Sequence, residues 1–263
     1  MPFLNSAPFF QGLSLGDRFA LDDCVPSELG RKAASGEVAA GLLPLVEYLR
    51  LASAFERLGH FGIAVRGRVQ SVMLFSCKPI RQLEGATIAV TEDTSTSAVL
   101  LRLLLECRYH VIPAAYERRA HREKRQAVQP AARERRQDPE ADALLLIGDE
   151  ALQFKRTNTQ YPFEVDLAFE WWLWQHLPCV FAVWAVRRDV VAQEKRSLEA
   201  ALARTLAVNS GRLSAIAEER AATLQLPASE LQAYLSAFHY RFGAEEEAGI
   251  TRFEELVHEH HLL

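Results

Sequence analysis

Short apolar runs alternate with amphipathic stretches along most of the chain. The runs Val38–Leu43, Val69–Ser76, Thr87–Thr91, Ala143–Ile147 and Val180–Val186 have the length and residue types of buried strands. Between and after them, apolar residues recur at helical spacing over Leu45–Arg57, Ser97–Glu106, Val190–Val208, Gly211–Gln225 and Arg252–His258. Pro227, followed by Ser229 and Glu230, opens a further short helix. Strands that alternate with helices predict an α/β fold of parallel sheets covered by helices.

Two of these strands read as connections between lobes. Val69–Ser76 runs into Lys78-Pro79-Ile80, and a fresh strand–helix unit starts at Gly85. Val180–Val186 leads from an aromatic-rich segment into four helical segments. A chain that leaves one lobe near residue 80 and returns near 182 makes a discontinuous first lobe, 1–80 and 182–263, and a continuous second lobe, 81–181. Two crossings form a hinge, and a hinge between α/β lobes leaves a cleft at the carboxyl ends of the strands. The expectation is two lobes, each a mixed, mostly parallel sheet flanked by helices, with a ligand between them. No internal repeat is visible.

Composition narrows the partners. With 263 residues and 49% hydrophobic content, the chain can bury a large core without disulfides or metals. A net charge of −4 gives no overall attraction to nucleic acid or an acidic membrane. Cys24, Cys77, Cys107 and Cys179 lie far apart, with neither CxxC nor zinc spacing, and read as free thiols of a reducing compartment. The start, Met1-Pro2-Phe3-Leu4, has no basic region and no continuous apolar core of a signal peptide. The most apolar stretch, Val165–Val186, is interrupted by Glu170, Gln175, His176 and Pro178. A cytoplasmic monomer or homodimer without membrane or nucleic-acid partners is expected. Glu117–Gln137 carries eight basic and three acidic residues, but only Tyr116 stands near them as an aromatic, so it reads as a solvated helix and loop. His258, His260 and His261 lack a fixed scaffold, no nucleotide or zinc motif is present, and neither metal nor cofactor is expected. Trp171, Trp172, Trp174 and Trp184 read as packing residues.

Four segments could carry chemistry. Asn5 and Ser6, between an apolar start and Pro8, put a donor, an acceptor and a hydroxyl at a strand end; they could equally cap a helix. Thr94, Ser95, Thr96 and Ser97 crowd hydroxyls and free N–H groups at a helix start, which makes either an anion site or a richly capped turn. Gly148 and Asp149 close the strand Ala143–Ile147, where a backbone can pass close to a ligand and a carboxylate can orient a hydroxyl, or where they simply make a turn and a cap. The small residues Ala39, Ala40 and Gly41 end another strand that would line the cleft, and Glu47 behind them reads as a solvent-facing residue.

Together and in this order, these segments resemble the chorismate dehydratase family. Its members open on Tyr/Phe-Leu-Asn-Ser/Thr-x-Pro, which Phe3–Pro8 fits. The likeness continues through Glu37–Tyr48, Ser71–Ser76 with Pro79 and Ile80, Gly85–Leu105, Leu145–Leu152, and Leu177-Pro178 with Val180–Ala185. A sister family that makes dihydroxynaphthoate opens on a Cys-Pro-Asn-Asp-like loop that this chain lacks. Members of the first family carry several more residues before the Leu-Asn motif, so either the start is placed too late here or the first strand is clipped and short of ladder bonds.

The resemblance implies a type II periplasmic-binding-protein fold and removal of water from chorismate, giving 3-[(1-carboxyvinyl)oxy]benzoate on the futalosine route to menaquinone. It implies no cofactor. Ser95, Thr96 and Ser97, with helix N-terminal amides, would bind one substrate carboxylate, with Ser97 in a catalytic role. Asn5, also catalytic, and Ser6 would orient the ring hydroxyl or the other carboxylate, while Thr94, Gly148 and Asp149 would add substrate contacts. The base would be a substrate carboxylate or Asp149. Alternatives are a non-catalytic cytoplasmic binding protein for a small carboxylate, the sister lyase, or a lyase for another hydroxylated acid.

Overall fold

The computed structural model describes residues 3–16, 19–92, 94–119 and 141–263. Its strands are β1 (Ala40–Pro44), β2 (Phe55–Val65), β3 (Val72–Ser76), β4 (Thr87–Thr91), β5 (Ala115–Arg119), β6 (Ala143–Ile147), β7 (Phe163–Asp166), β8 (Cys179–Arg187) and β9 (Phe238–Arg241). They form a four-stranded sheet in the order β1-β8-β2-β9 and a five-stranded sheet in the order β5-β4-β6-β3-β7. Helices flank both, giving the two-lobed α/β architecture expected from the sequence.

The pairing is less parallel than the alternation of segments implied. β1 and β2 both run antiparallel to β8, which returns from the other lobe and inserts between them. They therefore run in one direction, as a strand–helix–strand unit must, without touching. In the second sheet β4 pairs in parallel with β5 and β6, while β3 pairs antiparallel with β6 and β7.

The crossings also fall elsewhere. β3 lies in the five-stranded sheet rather than with the first lobe, so the chain crosses before Val72 and not near residue 80. β8 lies wholly in the four-stranded sheet, so the return precedes Cys179. One carboxylate ties the two passages. Asp166 Oδ2 accepts from the N–H groups of Val69 and Gln70 at 2.8 Å, and Oδ1 from those of Ala168 and Phe169 at 3.1 Å. The second pair caps the helix Leu167–Gln175.

Helix Leu45–Arg50 ends seven residues before the expected stop; a turn follows over residues 51–54, and β2 begins at Phe55. The four helices after β8 are Ala192–Ser210, Leu213–Leu224, Ala228–Ser236 and Ala244–Glu259. The last begins well before Arg252. Its first turn holds Glu245, Glu246 and Glu247, which favour the positive end of the helix dipole, and Glu246 accepts from Gly243 N–H at 2.8 Å. Trp171 and Trp184 are buried. The Arg-rich segment begins inside β5, and residues 120–137 lie outside the described ones. Among the described residues no helix is long and apolar enough to cross a membrane, and no cluster of ligands could hold a metal.

Candidate active site

The opening residues form a short 3₁₀ turn, Leu4–Ser6, that continues into the helix Ala7–Phe10 with Pro8 in its first turn. Proline belongs there because the N–H it lacks would have no partner. Leu4 and Phe9 are fully buried and anchor the segment. Asn209 Nδ2 donates to Pro8 O at 3.0 Å and to Gln11 O at 2.8 Å, holding the far end. Ser6 Oγ donates to Phe3 O at 2.8 Å. Asn5 is half-buried, and its amide has no hydrogen-bond partner among the described residues.

Gly148 follows β6 with φ +60°, a conformation that glycine adopts without strain. Its N–H donates to Ser71 O at 2.7 Å, and a Cβ there would stand 2.5 Å from the Phe3 ring. The carboxyl end of β6 is thus pressed against the opening segment. Because β4 pairs in parallel with β6, its own carboxyl end emerges alongside. From there the chain enters Thr94–Ser97, each residue less than a tenth exposed, and the helix Thr96–Arg102.

The turn is braced from both sides. Arg118 Nη1 donates to Thr94 O at 3.1 Å, and Val46 N–H donates to Thr96 Oγ1 at 3.2 Å, linking the turn to the helix Leu45–Arg50 of the other lobe. Ser95 Oγ is buried with no hydrogen-bond partner among the described residues.

These groups meet at a cavity of about 490 Å³, whose wall includes Asn5, Ser6, Thr94, Ser95, Thr96, Ser97 and Gly148. Seven of the eight expected site residues are therefore together. Much of the remaining wall is apolar, from Phe10, Phe19, Leu29, Leu42 and Trp184, beside the open edge of β1. The wall includes no histidine or arginine among the described residues. Lys195 reaches it, but its ammonium is bound to Glu56 at 2.7 Å and to Arg188 O at 2.8 Å. Asp22, Asp23, Glu37 and Glu194 also line the cavity, so it is the part formed by Asn5, Ser6 and the Thr94–Ser97 turn, with its hydroxyls and backbone N–H groups, that suits an anion.

Asp149 departs from expectation. It does not line the cavity. Its Oδ1 accepts from Leu4 N–H at 3.0 Å, and Oδ2 lies 3.6 Å from Arg220 Nη2. The carboxylate expected to face a substrate instead fixes the segment that carries Asn5. Ser71 was missed as a site residue: it is 1% exposed, lines the cavity and accepts from Tyr234 O–H at 2.9 Å. In the sequence it stands out only as the first residue of the Ser71–Ser76 likeness, directly before β3.

Comparison with known proteins gives the family and the fold. The profile of a family described as menaquinone biosynthesis matches residues 1–259. The chain is similar to chorismate dehydratase of Thermus thermophilus, 33% identical over 269 positions that cover 97% of this chain and 92% of that one. Among solved structures, protein AF1704 of Archaeoglobus fulgidus matches with a TM-score of 0.74 at 21% identity, over 100% of this chain and 96% of that one. The alkanesulfonate-binding protein SsuA of Xanthomonas axonopodis pv. citri, bound to MOPS, matches with a TM-score of 0.67 at 13% identity, over 99% and 90% of the two chains. At such identities the structural matches speak for a periplasmic-binding-protein-like fold.

Proposed function

The chain belongs to the menaquinone biosynthesis family, and on that premise we propose that it is a chorismate dehydratase. The reaction removes the hydrogen at C3 and the hydroxyl at C4 as one water. The C3–H electron pair first spreads through the C1–C2 double bond into the ring carboxylate. It then returns to form the C3–C4 double bond as hydroxide leaves C4, and the ring becomes aromatic. The proton and hydroxide together make the water lost, leaving 3-[(1-carboxyvinyl)oxy]benzoate.

The observation that carries this reading is the convergence of the Thr94–Ser97 hydroxyls with Asn5 and Ser6 on one cavity wall. A dianion that gains charge on its ring carboxylate needs donors fixed beforehand around that group. Ser95, Thr96 and Ser97, with the N–H groups of the same turn, supply them, and Ser97 follows the charge as it builds. Asn5 hydrogen-bonds the C4 hydroxyl and assists its departure, with Ser6, Thr94 and the Gly148 backbone completing the contact surface.

No protein base is assigned. Asp149 is held by Leu4 and Arg220, and no described histidine lines the cavity. The carboxylate of the substrate's own enolpyruvyl group takes the C3 proton. Closure of the lobes keeps water from the intermediate. The futalosine route and a cytoplasmic location belong to the same proposal; four unpaired cysteines fit a reducing compartment.

The test is to incubate the protein with chorismate and separate the products with mass and ultraviolet detection. A product lighter by one water, with aromatic absorption, supports the reading. Asn5→Ala should then lower kcat by about 10²–10³ with a smaller change in KM, as for loss of a donor used mainly in the transition state. Binding of chorismate, seen as a raised Tm, without any product would overturn the dehydratase in favour of a binding protein.

A further inference from the structure

Tyr234 is buried on the helix Ala228–Ser236 and reaches the cavity wall through one hydroxyl, 2.9 Å from Ser71 Oγ. Ser71 itself is fixed at its backbone, where its carbonyl accepts from Gly148 N–H at 2.7 Å. Of the two hydroxyls, the phenol is the stronger donor and the alkyl oxygen the stronger acceptor, so the shared proton is that of Tyr234. Burial, with Asp149 nearby, pushes the phenol well above its ordinary range, so it keeps that proton at any working pH. The proton of Ser71 has no acceptor among the described residues, and Ser71 lines the cavity.

We infer that Tyr234 is a positioning residue: by donating to Ser71 Oγ it turns the Ser71 hydroxyl proton toward the cavity, where Ser71 donates to a carboxylate oxygen of the substrate. The inference rests on the dehydratase reading and adds to it a donor and the group that aims it. Orientation matters here because the wall offers a dianion hydroxyls rather than guanidinium groups. A hydroxyl free to rotate spends part of its time pointing elsewhere; one whose oxygen already accepts a bond is held ready.

The test measures kcat and KM for chorismate, with Tm, for the wild type, Y234F, S71A and Y234F/S71A. A donor to a substrate carboxylate acts on binding and, because the charge on both carboxylates changes during the reaction, on turnover as well, so kcat/KM reports it. S71A should lower kcat/KM about 10–100-fold and Y234F about 3–10-fold. The double variant should match S71A alone, because no Ser71 hydroxyl remains to be aimed. A purely structural tyrosine would instead multiply its effect onto that of S71A. That result, or a kcat/KM for Y234F within about twofold of the wild type, overturns the inference. Wild-type protein that makes no product overturns the dehydratase reading and this inference together, whereas an active wild type with multiplying variants sinks the Tyr234 role alone. Should Y234F fail to fold, a structure of the wild type with bound product decides. Ser71 Oγ within about 3.2 Å of a carboxylate oxygen supports the inference, and Ser71 without a ligand contact overturns it.

Discussion

Gly148→Ala tests whether the opening segment and the end of β6 form one wall. Two costs add at this position. The first is backbone strain: φ is +60°, and an L-residue in the left-handed region costs roughly 1–2 kcal/mol. The second is steric. The new Cβ would stand 2.5, 2.8 and 3.1 Å from the Cδ1, Cε1 and Cγ atoms of Phe3, so the ring must shift, at about 1–3 kcal/mol for overpacking. The sum is about 2–5 kcal/mol, or roughly 4–20 °C in Tm at 2–4 °C per kcal/mol. Phe3 lines the cavity, so a displaced ring should also lower kcat/KM. Gly85→Ala is the control: its φ is +69°, but nothing lies within 4 Å of its Cβ, so it carries the backbone cost alone. Calorimetry of both variants separates the two costs. Equal Tm losses, with kcat/KM unchanged in Gly148→Ala, would refute the contact between Phe3 and Gly148 as part of the site.

Three further outcomes follow from the same contacts. Asp149→Ala leaves the Leu4 N–H without its acceptor and should cost about 1–3 kcal/mol by denaturant titration, while lowering turnover through Asn5; Asp149→Asn, which keeps an acceptor, should recover most of both, and an equal loss in the two variants would argue against the Leu4 bond. Thr96→Val removes the acceptor of Val46 N–H and should destabilise by about 1–3 kcal/mol, whereas Thr96→Ser should not; identical midpoints would refute the inter-lobe bond. Burial alone would raise the Glu246 and Glu247 carboxyls, but bonds from His239 and Gly243 N–H to the first, and from Arg57 and His60 to the second, hold both below the ordinary 4.5. Both groups are lowered, so their stabilisation is complete above the unfolded value near 4.5 and is lost as the pH falls through the lower folded values. Tm should decline across that window, less steeply in Glu247→Gln, and equal slopes would count against the Arg57–Glu247 pair.

The strands legible in the sequence are those whose surroundings resemble what a local pattern encodes. Thr87–Thr91 and Ala143–Ile147 were read at their observed boundaries because they pair in the middle of a sheet and are apolar almost throughout. Three of the four missed strands, β5, β7 and β9, are sheet edges. An edge strand buries less, and Ala115–Arg119 carries Glu117, Arg118 and Arg119 in sequence. The fourth, β2, is central but slips register between Arg57 and Gly62, so its inward residues never alternate cleanly. Leu45, Leu49 and Ala52 meanwhile continue a helical spacing past Arg50, where the helix ends. The misplaced crossing has a similar origin: an apolar run such as Val72–Ser76 announces a buried strand but not its sheet, and its partners β6 and β7 come about 70 and 90 residues later.

The site divides along the same line. The Thr94–Ser97 turn was legible because strand-end polarity is local and the parallel β4 and β6 bring such ends together, whereas Asn5 and Ser6 reach the cavity from a 3₁₀ turn and not from the strand end expected of them. Asp149 had the right position and a different task. Spacing puts a carboxylate beside the cleft but does not encode whether it faces a ligand or an N–H group 145 residues away. Electrostatics explains which arrangement is compatible with the proposed chemistry. An unpaired carboxylate beside a dianion would oppose binding, whereas one that accepts from Leu4 and faces Arg220 is offset locally and leaves the Asn5 and Thr94–Ser97 part of the wall to neutral donors. Ser71 and Tyr234, 163 residues apart, are the extreme case. Neither belongs to a polar cluster in the sequence, and only the fold, which sets the helix Ala228–Ser236 beside the residue preceding β3, brings one hydroxyl to the other.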